Sequence, residues 1–170
     1  MGRGAAHDAE RQNSEEEWAW GSMILGKPLL GQRVTDILAV LEALRHSSGV
    51  ESQPLIVAAQ GKMTVPAQFA AALDSNFSTL YLSGGLLSFR NIVETQYYNH
   101  PFVNFVPGIL RHTDLTELQQ PKRVVLAGVV DAAGHAVPVD VVRTAYSKAT
   151  NVEVIATARW DAVTLAALAS

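Results

Sequence analysis

Leu55-Ile56-Val57-Ala58-Ala59, then Gln60-Gly61-Lys62, then an alanine-rich segment from Val65 to Leu73, is the stretch on which the fold turns. Five consecutive apolar residues suit a strand buried on both faces, as in a parallel sheet. The glycine after it lets the chain turn sharply into a helix. The same pattern repeats downstream. Phe77–Leu82 reads as a second strand ending at Ser83-Gly84-Gly85, Arg123–Val130 as a third with Asp131 at its end, and Val152–Thr157 as a fourth. Helices are expected over Val139–Ala149 and Asp161–Ala169, and a long irregular stretch over 86–120. Upstream, Val34, Ile37, Leu38, Leu41 and Leu44 recur at helical spacing within Gln32–His46, and Ser47-Ser48-Gly49 ends that helix. Strand and helix in alternation predict an α/β fold, a small, mainly parallel sheet of about four strands with crossover helices. If strand order is sequential, right-handed crossovers place the connecting helices on one face and leave only the terminal helix for the other.

Composition narrows the function. Of 170 residues, 48% are hydrophobic and 17% charged, enough for a buried core and too apolar for a disordered chain. The net charge of −3 argues against a nucleic-acid partner, which calls for a basic face. The absence of cysteine excludes disulfides, zinc-thiolate sites, iron–sulfur clusters and a Cys nucleophile. The longest apolar runs, Val124–Val130 and Ala162–Ala169, fall short of the ~20 residues a membrane span needs, so no membrane partner is expected. Met1-Gly2-Arg3-Gly4-Ala5-Ala6-His7-Asp8 lacks a signal-peptide core, which predicts a cytoplasmic protein. Residues 1–17 are polar and read as a mobile arm or an ordered surface loop, leaving 18–170 as one α/β domain. The five histidines show no metal-ligand spacing, and Gly84-Gly85 is too little for a phosphate loop, so neither metal nor cofactor is expected.

Several residues are candidates for chemistry. Asp131 and His135 lie four apart in one loop, as a carboxylate orienting an imidazole base, or as a turn cap beside a solvated histidine. Ser83, at the C-terminal end of its strand, stands where parallel sheets bind ligands, and is also a common turn residue. Ser88 follows soon after. Lys62 and Thr64 flank the turn at Gly61 and could hold a substrate carboxylate or act as an unusual nucleophile, although an exposed lysine at a helix start is ordinary. Tyr97, Tyr98, His100 and His112 in the 86–120 segment either line a pocket or pack that segment onto the sheet. Trp18 and Trp20 read as anchors for the polar arm.

From about Trp18 to Ala158 the chain resembles the C-terminal half of α/β-hydrolases of the acetyl xylan esterase-like and dienelactone hydrolase-like kind. The stretches that carry the resemblance are Leu25-Gly26-Lys27-Pro28-Leu29-Leu30-Gly31-Gln32-Arg33 and Pro107-Gly108-Ile109-Leu110-Arg111-His112-Thr113-Asp114-Leu115. Gly2-Arg3-Gly4 looks like the remnant of the Arg-Gly-x-Gly turn of such enzymes. The resemblance implies a partial α/β-hydrolase fold with a lid-like insertion at about 86–120. It places the Gly-x-Ser-x-Gly nucleophile turn at Ala59-Gln60-Gly61-Lys62-Met63, where Gly61 holds the serine's place and carries no nucleophile. Asp131 matches the triad acid, but Ala158-Arg159-Trp160-Asp161 lacks the histidine. The strands preceding Leu55 in such enzymes, with the loop supplying the other oxyanion donor, are not encoded here.

Two functions follow as expectations. One is hydrolysis of a small carboxylic ester or lactone through a non-standard site. There Asp131 and His135 act as orienting acid and base, Ser83 or an activated water attacks, and Gln60, Gly61, Lys62, Tyr97 and His100 bind substrate. The other is a non-catalytic, hydrolase-derived module for binding or assembly. The unpaired outer edge of Leu55–Ala59 also predicts a homodimer, with Leu55, Ile56, Val57 and the Gln32–His46 helix near the contact.

Overall fold

In the computed structural model, residues 15–47, 54–118 and 121–169 are described. A helix, α1, is described from 15 to 24, so residues 15–17 of the polar segment are helical, while 1–14 lie outside the described residues. Gly26, at φ +67°, closes α1, with the Lys27 N–H bonded to Ser22 O and the Gly26 N–H to Met23 O. Paired bonds of this kind satisfy the carbonyls that a helix end leaves free, and they need a residue at positive φ. Pro28 then caps α2 (Leu29–Arg45), which starts three residues earlier than its apolar periodicity predicts.

The sheet consists of β1 (Leu55–Gln60), β2 (Phe77–Ser83), β3 (Arg123–Ala127) and β4 (Val152–Ile155), all parallel and in the order β1-β2-β3-β4. Between them lie α3 (Thr64–Leu73), α4 (Phe89–Glu94) and α5 (Val139–Ala145), and α6 (Ala162–Ala166) follows β4. The α/β class and the parallel sheet agree with the sequence pattern. Several boundaries differ: α5 ends at Ala145 and β4 at Ile155, short of the predicted Ala149 and Thr157, and two further differences have visible physical reasons. β3 stops at Ala127 because Gly128 turns at φ +59° with the backbone of Ala158 pressed against it; an added Cβ would lie 2.2 Å from Ala158 N. The 86–120 segment is not wholly irregular, since it contains α4 and three short 3-10 turns.

Strand alternation sorts the core into two faces. Leu80, Leu82, Val124 and Leu126 pack with Val34 and Leu41 of α2, Val65 and Ala70 of α3, and Val142 of α5. Tyr81, Val125 and Ala127 point the other way, onto Leu165 and Leu168 at the terminal helix. One face is therefore covered by three helices and the other mainly by one, as sequential crossovers require. Among the described residues no helix is long and apolar enough to cross a membrane.

Candidate functional site

The strand ends build the site. After β1 the chain turns at Gly61, φ +55°, through a short 3-10 turn into α3. The Thr64 hydroxyl donates to Gly61 O at 2.7 Å, and Thr64 also packs over Gly85 at the end of β2. A Cβ at position 61 would meet no atom within 4 Å, so glycine is needed there for its backbone angle and not for space.

Lys62 is not a free amine. Its Nζ donates to Glu15 Oε2 at 2.5 Å, and the same carboxylate takes a hydrogen bond from Arg33. Burial pushes the Glu15 carboxyl upward, but the hydrogen bonds from Lys62 and Arg33 outweigh it and hold the group below its ordinary range. On the other side of the turn, Asn104 is fully buried and its Nδ2 donates to Lys62 O at 2.7 Å. The same amide lies 3.3 Å from His100 Nε2, which therefore acts as the acceptor. Burial lowers the His100 pKa to about 4, so the ring is neutral at pH 7, and it stacks on Phe105. Gln60 is exposed at the end of β1.

Ser83 stands apart from this cluster. It is fully buried on the α6 face, with the Tyr81 side chain beside it, and the Tyr81 hydroxyl donates to Arg159 O at 2.7 Å. Asp131 and His135 do come together. Asp131 accepts the His135 N–H at 2.8 Å, and its second oxygen lies 3.4 Å from His135 Nδ1. The backbone N–H of His135 is the main reason the Asp131 carboxyl sits below its usual range. The turn and the carboxylate–imidazole pair predicted as alternatives thus coexist. The His135 ring is 80% exposed and is not hydrogen-bonded to the sealed Ser83. Among the described residues no hydroxyl is hydrogen-bonded to a histidine, and no group of three His, Asp or Glu side chains could hold a metal.

Ser88 caps α4 through Asn91 N. Sequence reasoning missed its partner, Asp114. This buried carboxylate accepts Phe89 N and Leu115 N at 2.7 Å and Arg90 N at 3.2 Å, tying the start of α4 to a segment 25 residues later. Only the local half of that role, a cap on the turn Leu115–Glu117, has a sequence signal.

Among the described residues, two cavities lie against α1. The larger, about 630 Å³, lies between α1, α4 and the 102–111 segment, with Trp20, Met23, Ile92, Phe102, Phe105 and Ile109 in its apolar wall. Trp20 stacks on Phe102 with ring centres 4.2 Å apart. The smaller, about 260 Å³, is polar and includes Glu16, Tyr98, Asn99 and His100. Tyr98 and His100 both line the smaller cavity and pack on Phe105, so the two roles left open for them coexist, whereas Tyr97 is 80% exposed and lines neither described cavity. The larger cavity has no single-segment signature, because its wall joins residues on α1 to residues some eighty positions later.

Comparison with protein-family models, with curated proteins and with solved structures finds no match for this chain.

Proposed function

We propose that this protein is a non-catalytic binding module on a hydrolase-like scaffold, and that its ligand is a small molecule whose apolar body occupies the 630 Å³ cavity beside α1. One observation carries the reading. Among the described residues, the cavity wall contains no serine, threonine, histidine, lysine or carboxylate, so a molecule held there meets no nucleophile and no base among them. The cavity volume falls within the ~300–1,000 Å³ typical of small-molecule sites, and an apolar lining is usual for them.

Hydrolysis of an ester or lactone is the second reading, and the Asp131–His135 pair favours it. That pair would have to activate a water, because Ser83 is sealed and Gly61 carries no nucleophile. Hydrolysis of p-nitrophenyl acetate by the wild-type protein, Asp131→Ala and His135→Ala separates the two. The binding reading expects three equal rates at the background of buffer. A wild-type rate well above background that both substitutions abolish would reinstate the hydrolase.

The same module is proposed to pair through β1. Among the described residues the outer edge of β1 has no strand beside it, and its sequence from Leu55 to Gln60 carries no charge to discourage pairing. β4, the other edge, is shorter and has Glu153 exposed.

A further inference from the structure

Among the described residues, Arg111 is the only charged one lining the apolar cavity, and its guanidinium has no hydrogen-bond or ion-pair partner there. Its place is set by the backbone. Gly108, at φ +76°, starts the turn Ile109–Arg111, and the Arg111 N–H closes it on Gly108 O at 3.0 Å. Asp114, three residues on, is buried against three backbone N–H groups and forms no ion pair with Arg111. Arg33, Arg45 and Arg123 are held by Glu15, Asp74 and Glu153, and the other described arginines without an ion pair, Arg90, Arg143 and Arg159, do not line this cavity.

We infer that the cavity takes an anionic amphiphile, a carboxylate with an apolar chain or ring, whose body lies against Trp20, Phe102 and Ile109 and whose carboxylate pairs with Arg111 at the mouth. This rests on the binding reading above and adds to it the charge and orientation of the ligand. Arg111 is exposed, so it keeps most of its hydration in the free protein, and a planar carboxylate can meet its fork bidentately. A cationic amphiphile finds no acidic residue among the described residues of this wall, and a neutral one leaves the guanidinium unused. The shape favours a single chain entering a concavity over a flat membrane surface, and the two sources of such a head group, a free acid or a bilayer lipid, separate in the test.

The test is titration calorimetry of the full chain with decanoate, octanoate and decanol, each below its aggregation limit, with co-sedimentation on phosphatidylglycerol vesicles as a second arm. Decanoate is expected to bind about fivefold more tightly than decanol, the scale of one exposed ion pair. It should also bind more tightly than octanoate by about fourfold for each added methylene buried. Arg111→Gln should erase the preference for decanoate while leaving decanol binding intact, and Ile109→Trp, which fills the cavity, should weaken both. Equal binding of decanoate and decanol to the wild type would overturn the carboxylate assignment and leave the binding reading standing. Binding of neither, with the variants folded by circular dichroism, would overturn both. Arg111-dependent sedimentation with vesicles, without decanoate binding, would assign the face to a bilayer and overturn the proposal.

Discussion

His100 is held neutral by its surroundings, and that state has a measurable signature. Its pKa is lowered from 6.5 to about 4 by burial, so between those values the unfolded chain binds a proton that the folded chain refuses. The stabilisation from the neutral ring is complete above about pH 6.5 and is lost as pH falls toward 4. Urea unfolding of the wild type is expected to lose up to about 2 kcal/mol between pH 6.5 and pH 5 on this account. His100→Phe keeps an aromatic ring against Phe105 and should show a flatter slope over that interval; an unchanged slope would remove His100 as the cause. At the neighbouring turn, Gly61→Ser is expected to cost about 1–3 kcal/mol through its backbone angle alone, since no atom crowds the new Cβ. The same variant should gain no esterase activity, because His100 already directs its Nε2 at Asn104. A large gain would show that the ring swings to the new hydroxyl. The positive φ at Gly61 was legible in the sequence, because an apolar strand followed by glycine and a helix leaves few other turns. The approach of His100 to that turn was not, since Asn104, which bridges them, belongs to a segment with no regular period.

α2 and α4 show why some elements are legible and others are not. α2 is long and repeats apolar residues every three or four positions, so local sequence specifies both its existence and its buried stripe. α4 has six residues, too few for a period, and starts where Ser88 and the distant Asp114 satisfy its first N–H groups. Its stability is therefore decided by tertiary contacts. Asp114→Ala would leave three N–H groups without their acceptor, two of them buried, and is expected to destabilise the protein by about 3 kcal/mol in denaturant titrations. Asp114→Asn keeps one accepting oxygen and should cost less than half as much. Equal stability of Asp114→Ala and wild type would mean that water replaces the carboxylate. α1 was illegible for a related reason: its anchors, Glu15 to Lys62 and Arg33 and Trp20 to Phe102, all lie outside its own segment.

At the scale of the whole molecule, the alternation of strands and helices predicted the parallel sheet and its one-sided cover. It left the cavity unseen, because binary patterning shows which face of an element is apolar but not where two distant faces fail to meet. The uncharged edge of β1 leads to the fourth expectation. Wild type is expected to sediment as a dimer at micromolar concentration, and Ile56→Lys, which puts a charge on that edge strand, as a monomer. Identical sedimentation of the two proteins would show that β1 is not the contact. The strict β1-β2-β3-β4 order also bears on how the chain reaches this structure. Every strand pairs with its sequence neighbour, but the connections are unequal, and the 84–122 segment between β2 and β3 is the longest. Closing it costs the most chain entropy before any contact repays it. The β1-α3-β2 and β3-α5-β4 halves can each form earlier on shorter loops, and the central β2–β3 pairing then joins them. The cavity wall draws on that slow-closing segment and on α1, so the cavity is expected to form after the two shorter-looped halves.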